Sequence, residues 1–280
     1  MRTIDLNRCL LRYAQGNCDA CEAICPQGAV HQHVIDPGKC NDCGLCQAVC
    51  PTGAIAGRDD CARALDHLSQ LTRQVLMCSR VDDDSPSCLG FLNRRILWSL
   101  TRERELAIDL SRCKACRPAV FRWLEQEIDA CQQVLQEEGR PPIRLVRVKP
   151  RAKTPAVQSV ERRHFFRSLF QSATDGLQSL AEAQQTRLYA FDPSLWIAAR
   201  GGTPGTLFPQ ITVSSSCNTC GLCTVLCPER ALSMRQPEGM PKKLYVSVLA
   251  CSGCGLCAAS CPAKAIVCKK SAVDEQSNLD

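Results

Sequence analysis

Apolar positions in the middle of the chain recur with two different periods. Gln74-Val75-Leu76-Met77 is a short apolar run of strand type that ends at Cys78. Leu106-Ala107-Ile108-Asp109-Leu110 is a second run, delivering Cys113 and Cys116. Between them Leu92, Ile96, Leu97 and Leu100 share one helical face over 91–100, with Cys88 expected at the start of that helix. Pro118 suits the first turn of a further helix, which continues through Phe121, Leu124, Ile128, Cys131 and Leu135. Gly139-Arg140-Pro141-Pro142 stops it. Strand, helix, strand, helix in this order predicts a small α/β unit over 70–148 with parallel strands.

The flanks lack such periods. A linker is expected over 150–158, and one amphipathic helix, or two interrupted near Gly176, over 161–189. Gly201-Gly202-Thr203-Pro204-Gly205 reads as a loop, so 149–204 is expected to be a linker and helical region and 271–280 a polar tail. No 18-residue apolar run occurs, so no membrane span is expected. Residues 1–12 carry Arg2, Asp5, Arg8 and Arg12 and no apolar leader, which predicts a cytoplasmic protein with reduced thiols.

The formal net charge of +6 is unevenly spread. Arg140, Arg144, Arg147, Lys149, Arg151, Lys153, Arg162, Arg163 and Arg167 lie close together, as a solvated face or linker or as a docking surface for an acidic protein. No nucleic-acid fold accompanies them, so no nucleic-acid partner is expected. Glu161-Arg162-Arg163-His164-Phe165-Phe166 looks like a twin-arginine export signal, but its internal position favours a basic contact helix. His31, His33, His67 and His164 have no metal-ligand spacing.

Cysteine spacing changes the picture most. The 280 residues include 23 cysteines. Three blocks read C-x2-C-x2-C-x3-C-P: Cys40, Cys43, Cys46, Cys50; Cys217, Cys220, Cys223, Cys227; and Cys251, Cys254, Cys257, Cys261. A fourth, Cys18, Cys21, Cys25-Pro26, has Gln15 where a cysteine is expected. The blocks form two pairs over 1–60 and 205–270, and each ends in the same way: Cys25-Pro26-Gln27-Gly28-Ala29-Val30, Cys50-Pro51-Thr52-Gly53-Ala54-Ile55, Cys227-Pro228-Glu229-Arg230-Ala231-Leu232, Cys261-Pro262-Ala263-Lys264-Ala265-Ile266. Soft thiolates at this spacing suit iron cubanes, whereas zinc sites generally use two separate pairs.

These blocks resemble the bacterial-type two-cluster 4Fe-4S ferredoxin domain. The resemblance implies, at each end, two short hairpins and two helices around two cubanes, with the last cysteine of each block ligating its neighbour's cube. It implies four [4Fe-4S] clusters. Cys25, Cys40, Cys43 and Cys46 would hold one; Cys217, Cys220, Cys223 and Cys261 another; Cys227, Cys251, Cys254 and Cys257 a third. Cys18, Cys21 and Cys50 would hold the fourth, with Cys9 in place of the missing ligand. The alternatives there are a three-thiolate site, holding a three-iron cluster or none, and Cys61 as substitute.

Cys78, Cys88, Cys113 and Cys116 form a separate set, expected at the ends of adjacent parallel strands, where open α/β sheets place ligands. A fifth iron–sulfur cluster, zinc, a redox dithiol and unligated thiols are all open for it. The pattern is similar to the delta subunit of methyl-viologen-reducing hydrogenases. Cys131 and Cys268 read as ordinary buried side chains.

The expected fold is therefore α+β, with two ferredoxin-like dicluster domains flanking a small α/β domain. No GxGxxG, kinase or hydrolase signature occurs, so a non-catalytic electron-transfer subunit is expected, relaying single electrons for a catalytic oxidoreductase subunit or a soluble donor or acceptor. A centre at the middle cysteines would bridge the two pairs. The alternatives are a cluster-fed thiol–disulfide enzyme using the middle cysteines, and a cluster-dependent assembly or sensor protein.

Overall fold

The computed structural model describes residues 2–71, 74–83, 85–149, 188–239 and 241–271. The expected linker over 150–158, nearly all of the 161–189 helical stretch and the tail beyond Ser271 lie outside them.

The elements of the first part are β1 (Thr3–Ile4), α1 (Ala20–Ala23), β2 (Val30–His31), β3 (Val34–Ile35), α2 (Leu45–Val49), β4 (Ile55–Gly57) and α3 (Cys61–Gln70). β1 pairs antiparallel with β4, Ile4 opposite Ile55, and β2 with β3, Val30 opposite Ile35. Gly44 caps α2 at φ +92°, a backbone state that an L side chain resists.

The middle follows as β5 (Gln74–Leu76), α4 (Arg94–Thr101), β6 (Leu106–Ile108), α5 (Cys113–Cys116), α6 (Pro118–Glu137) and β7 (Arg144–Leu145). All three strands run parallel, β5 beside β6 beside β7, with Leu76 opposite Ile108 and Ile108 opposite Leu145. The periods in the sequence gave two of them, and Pro118 opens α6 as expected. The helix after β5 starts later than its apolar spacing implied. The Asn93 side chain accepts the Ile96 N–H at 3.0 Å and fixes the start of α4, which leaves Cys88 in the preceding loop. Leu92, Ile96, Leu97, Leu100, Leu124, Ile128 and Leu135 fill the core beneath the sheet. Arg94 and Glu127, both buried, pair across α4 and α6 at 2.6 Å.

Beyond the undescribed stretch the chain returns as β8 (Tyr189–Ala190) and α7 (Pro193–Arg200). Tyr189 is strand rather than the expected helix end, and β8 pairs antiparallel with β4, Ala56 opposite Ala190. Asp192 caps α7 by accepting the Leu195 N–H at 3.1 Å. Phe191 meets Phe91 edge-on at 5.9 Å, and the Trp196 indole donates to Asp66 at 2.8 Å. One apolar core thus runs from Cys43 and Leu45 through the α/β unit to Phe191, Ile197, Leu207 and Phe208.

The last part holds β9 (Gln210–Val213), α8 (Leu222–Leu226), β10 (Leu232–Arg235), β11 (Lys243–Val246), α9 (Leu256–Ala259) and β12 (Ile266–Lys269). β9 pairs antiparallel with β12, Val213 opposite Ile266, and β10 with β11, Leu232 opposite Val246. Two short strand pairs and two short helices are what the ferredoxin resemblance implied for this end. Arg95 of α4 holds it to the α/β unit, donating to the carbonyls of Cys251 at 3.1 Å and Ser252 at 3.2 Å. Among the described residues no helix is long and apolar enough to cross a membrane.

Candidate metal centres

Four cavities of similar size open between the short helices and the Cys-Pro turns, and each is ringed by at least four cysteines. Site I is lined by Cys9, Cys18, Cys21 and Cys50, and site II by Cys25, Cys40, Cys43 and Cys46. Site III is lined by Cys217, Cys220, Cys223 and Cys261, and site IV by Cys227, Cys251, Cys254 and Cys257. Each encloses about 320–360 Å³, open mouth included. In every case the cysteine before proline reaches the cavity of the other block in its pair. Cys9 arrives on the segment before a short 3₁₀ turn, Leu10–Arg12, and faces the cavity that the missing position would have served. Cys61 is elsewhere, buried at the start of α3 in the large core.

The four turns are built alike. The thiols of Cys25, Cys50, Cys227 and Cys261 each accept the backbone N–H of the residue four places on, Ala29, Ala54, Ala231 and Ala265, at 3.3 Å. The residue before that alanine takes positive φ in all four: Gly28, Gly53, Arg230 and Lys264, between 48° and 54°. An N–H aimed at sulfur stabilises negative charge there and is one of the levers on a cluster's potential.

The cavity walls are otherwise apolar, Ile4, Leu10 and Ile55 at site I and Ile211, Leu232 and Leu256 at site IV. Burial pushes the metal-free thiols up, to about 11 at Cys21 and about 12 at Cys46 and Cys257. Binding iron must therefore displace protons from these groups. Among the described residues no three His, Cys, Asp or Glu groups are placed to hold a single metal ion. The thiols surround a void instead of meeting at a point, as a multi-iron cluster needs and as one zinc, with Zn–S of about 2.3 Å, does not.

Several neighbours of these cavities escaped the sequence. Arg2, nearly fully buried, lines site II and pairs with Asp42 at 3.5 Å, and its charge favours the thiolate at Cys46. His33 lines site I with its Nδ1 buried and unbonded, although its spacing pointed to no site. Glu229 lines site IV and is 2% exposed. Burial, and then the adjacent Asp192 carboxyl, push its carboxyl well above the usual carboxylate range. Cys268, expected to be an ordinary buried side chain, lines site IV as a fifth thiol and shares a hydrogen bond with Cys251. Alternation along β12 was the available signal, since it sets Cys268 on the face of buried Ile266. Cys131 is fully buried on α6, as expected.

The middle cysteines also come together. Cys78 follows β5, Cys88 lies in the loop before α4, and Cys113 and Cys116 bound α5 after β6. Burial and then the charges of Cys88, Cys78 and Cys116 push the Cys113 thiol up to about 12. Cys88 and Cys113 are buried and Cys116 is exposed. The Arg117 guanidinium lies against Cys88 and donates to the carbonyls of Asn41 and Asp42 beside site II. Gly90 makes this closeness possible, because a Cβ there would lie 2.2 Å from the Cys43 carbonyl oxygen.

Comparison with known families matches two stretches. Residues 216–265 match the 4Fe-4S dicluster domain, and residues 33–56 the 4Fe-4S binding domain. The first stretch contains every cysteine of sites III and IV, and the second contains Cys40, Cys43, Cys46 and Cys50. Stretches of 4Fe-4S ferredoxin type thus lie on both sides of the mixed α/β middle, and they support a ferredoxin-like iron–sulfur electron-carrier role. No curated protein matches the chain.

Proposed function

We propose that this chain carries four [4Fe-4S] clusters and relays single electrons to or from a larger oxidoreductase or a soluble redox partner in a reducing compartment such as the cytoplasm. The observation that carries this reading is the set of four cavities, each ringed by at least four cysteines, one of them crossing over from the other block of the pair. The donor set is all thiol and the walls are apolar, which fits a cubane. A cluster, when bound, supplies a one-electron couple. The protein supplies sixteen thiolates to hold the clusters, four turn N–H groups on sulfur, and walls that exclude water. Arg2 places positive charge at site II. No side chain needs to act as a nucleophile, acid or base, so the role is that of a non-catalytic subunit. Cys78, Cys88, Cys113 and Cys116 are assigned to a fifth iron–sulfur centre next to site II, since among the described residues no three such groups are placed to hold a single metal ion.

Anaerobic iron and sulfide content, with EPR on the same reduced sample, tests the reading. About 16 of each with [4Fe-4S] signals supports four cubanes, and about 18–20 adds an iron–sulfur centre at the middle cysteines. A value near 12 overturns the ligand role of Cys9.

A further inference from the structure

The four Cys-Pro blocks can be laid over one another residue by residue, and the place seven after the cysteine that precedes proline holds Gln32, Gly57, Met234 and Cys268. In the last part this place stands on a strand that closes a cavity. Met234 of β10 lies opposite Leu244 of β11, and that pair lines site III. Cys268 of β12 lies opposite Ile211 of β9, and that pair lines site IV. One position thus gives a thioether to the first site and a thiol to the second.

Site IV therefore carries five thiols, Cys227, Cys251, Cys254, Cys257 and Cys268, where a cubane takes four. Sites I, II and III carry four each. A cysteine outside a ligand set is commonly a small buried side chain. Cys61 and Cys131 are of that kind, since both sit in the large core and line none of the four cavities. Cys268 lines a cavity, and its neighbour there is Cys251.

The backbone on both sides of that pair is fixed. The Cys251 N–H donates to the Val248 carbonyl at 3.1 Å, and Arg95 holds the Cys251 carbonyl at 3.1 Å. Cys268 is fixed by its pairing in the β9–β12 ladder. A change of partner between the two thiols then needs only side-chain rotation between staggered states.

We propose that Cys268 is a reserve ligand of site IV, able to take the iron held by Cys251 while Cys227, Cys254 and Cys257 keep their places. This rests on the four-cluster reading. In the exchange the iron–sulfur bond to Cys251 breaks and one to Cys268 forms. The proton of the Cys268 thiol passes to the Cys251 sulfur, and no electron moves. Site IV can thus keep its cluster through the loss of one thiolate, which the four-thiol sites cannot.

The test uses the full chain, anaerobically loaded, and reads iron and sulfide content with EPR on the reduced sample. Cys251→Ala should keep the parent's iron, about sixteen per chain from the four sites. Cys251→Ala combined with Cys268→Ala should lose iron, up to about four per chain, and with it the signal of one cluster. Cys217→Ala, the matching change at site III, should lose iron by itself. Iron lost from Cys251→Ala alone overturns the proposal, as does iron retained in the double variant. A parent that holds fewer than four clusters defeats the four-cluster reading itself, whereas four clusters in the parent and loss in Cys251→Ala defeat only the reserve role. Cys251→Ser serves where the alanine variant fails to fold. Its resonance Raman spectrum should match the parent's all-thiolate pattern, and bands of serine ligation would overturn the proposal.

Discussion

Gly53 lies against Asp192, 139 residues further on, with its Cα facing the aspartate backbone at a separation that leaves no room for a methyl group. Gly28 occupies the same place in the sister turn, at the same φ of +54°, and nothing lies within 4 Å of where its Cβ would be. The two glycines share a conformation and differ only in what faces them.

Gly28→Ala should therefore meet only the left-handed backbone cost, about 1 kcal/mol. Gly53→Ala should add overlap with the Asp192 and Phe191 backbone and reach about 3 kcal/mol or more. Urea unfolding of the two variants side by side checks this; equal losses would mean that the contact with Asp192 contributes nothing.

Arg230 and Lys264 hold the corresponding turns of the last part at φ of 50° and 48° with side chains that resist it. Lys264→Gly should relieve that strain and stabilise the loaded protein by about 0.5–1 kcal/mol, the gain being reduced by glycine's greater freedom when unfolded. Unfolding midpoints of the variant and the parent settle the sign.

Cys268 stands beside Cys251 in the wall of site IV, where its thiol can donate to the bound thiolate. Replacing it with alanine should leave the iron content unchanged. Losing one donor to sulfur should lower one cluster potential by roughly 40 mV, the one-electron equivalent of about 1 kcal/mol. A redox titration followed by EPR reads the shift, and a fall in iron content would instead make Cys268 a ligand.

Asp109 accepts the Ser111 N–H at 2.8 Å and the Val148 N–H at 2.7 Å, tying the end of β6 to the chain after β7. Burial works to raise its carboxyl, but these bonds and Arg147 outweigh it and hold the group below its ordinary 3.8. A carboxyl depressed by folding stabilises fully above its unfolded value, and the stabilisation is lost as pH falls through the folded one. Asp109→Asn should thus cost about 1–3 kcal/mol at pH 7, with the same gap at pH 5. The gap should close only below about pH 4. Urea unfolding followed by tryptophan fluorescence measures it, with Trp98 and Trp123 reporting from α4 and α6.

Much of the cysteine arrangement was legible because it is local. A spacing of two or three residues lets a loop wrap one cavity, and an exchange between neighbouring blocks needs no distant contact. The parallel strands at Val75 and Ala107 were legible for the same reason, since short apolar runs alternated with a helical period. Contacts over long separations were hidden. Tyr189–Ala190 joins β4 across 133 residues, through edge hydrogen bonds that leave no mark on composition. Cys88 was placed too near a helix because the apolar spacing of Leu92 and Ile96 does not say where a helix begins; Asn93 decides that by capping. Glu229 carries no mark within its repeated Cys-Pro block, and only its burial sets it apart.

The pairing of β4 with Tyr189–Ala190 carries a consequence for how the protein is made. A ribosome that has released the first sixty residues has produced all the cysteines of sites I and II, yet β4 still lacks its outer neighbour. That open edge must wait through the synthesis of the whole α/β unit before its partner emerges. Newborn chains are thus exposed to edge-to-edge association for that interval, and a chain cut short before Tyr189 would keep the exposed edge for its lifetime.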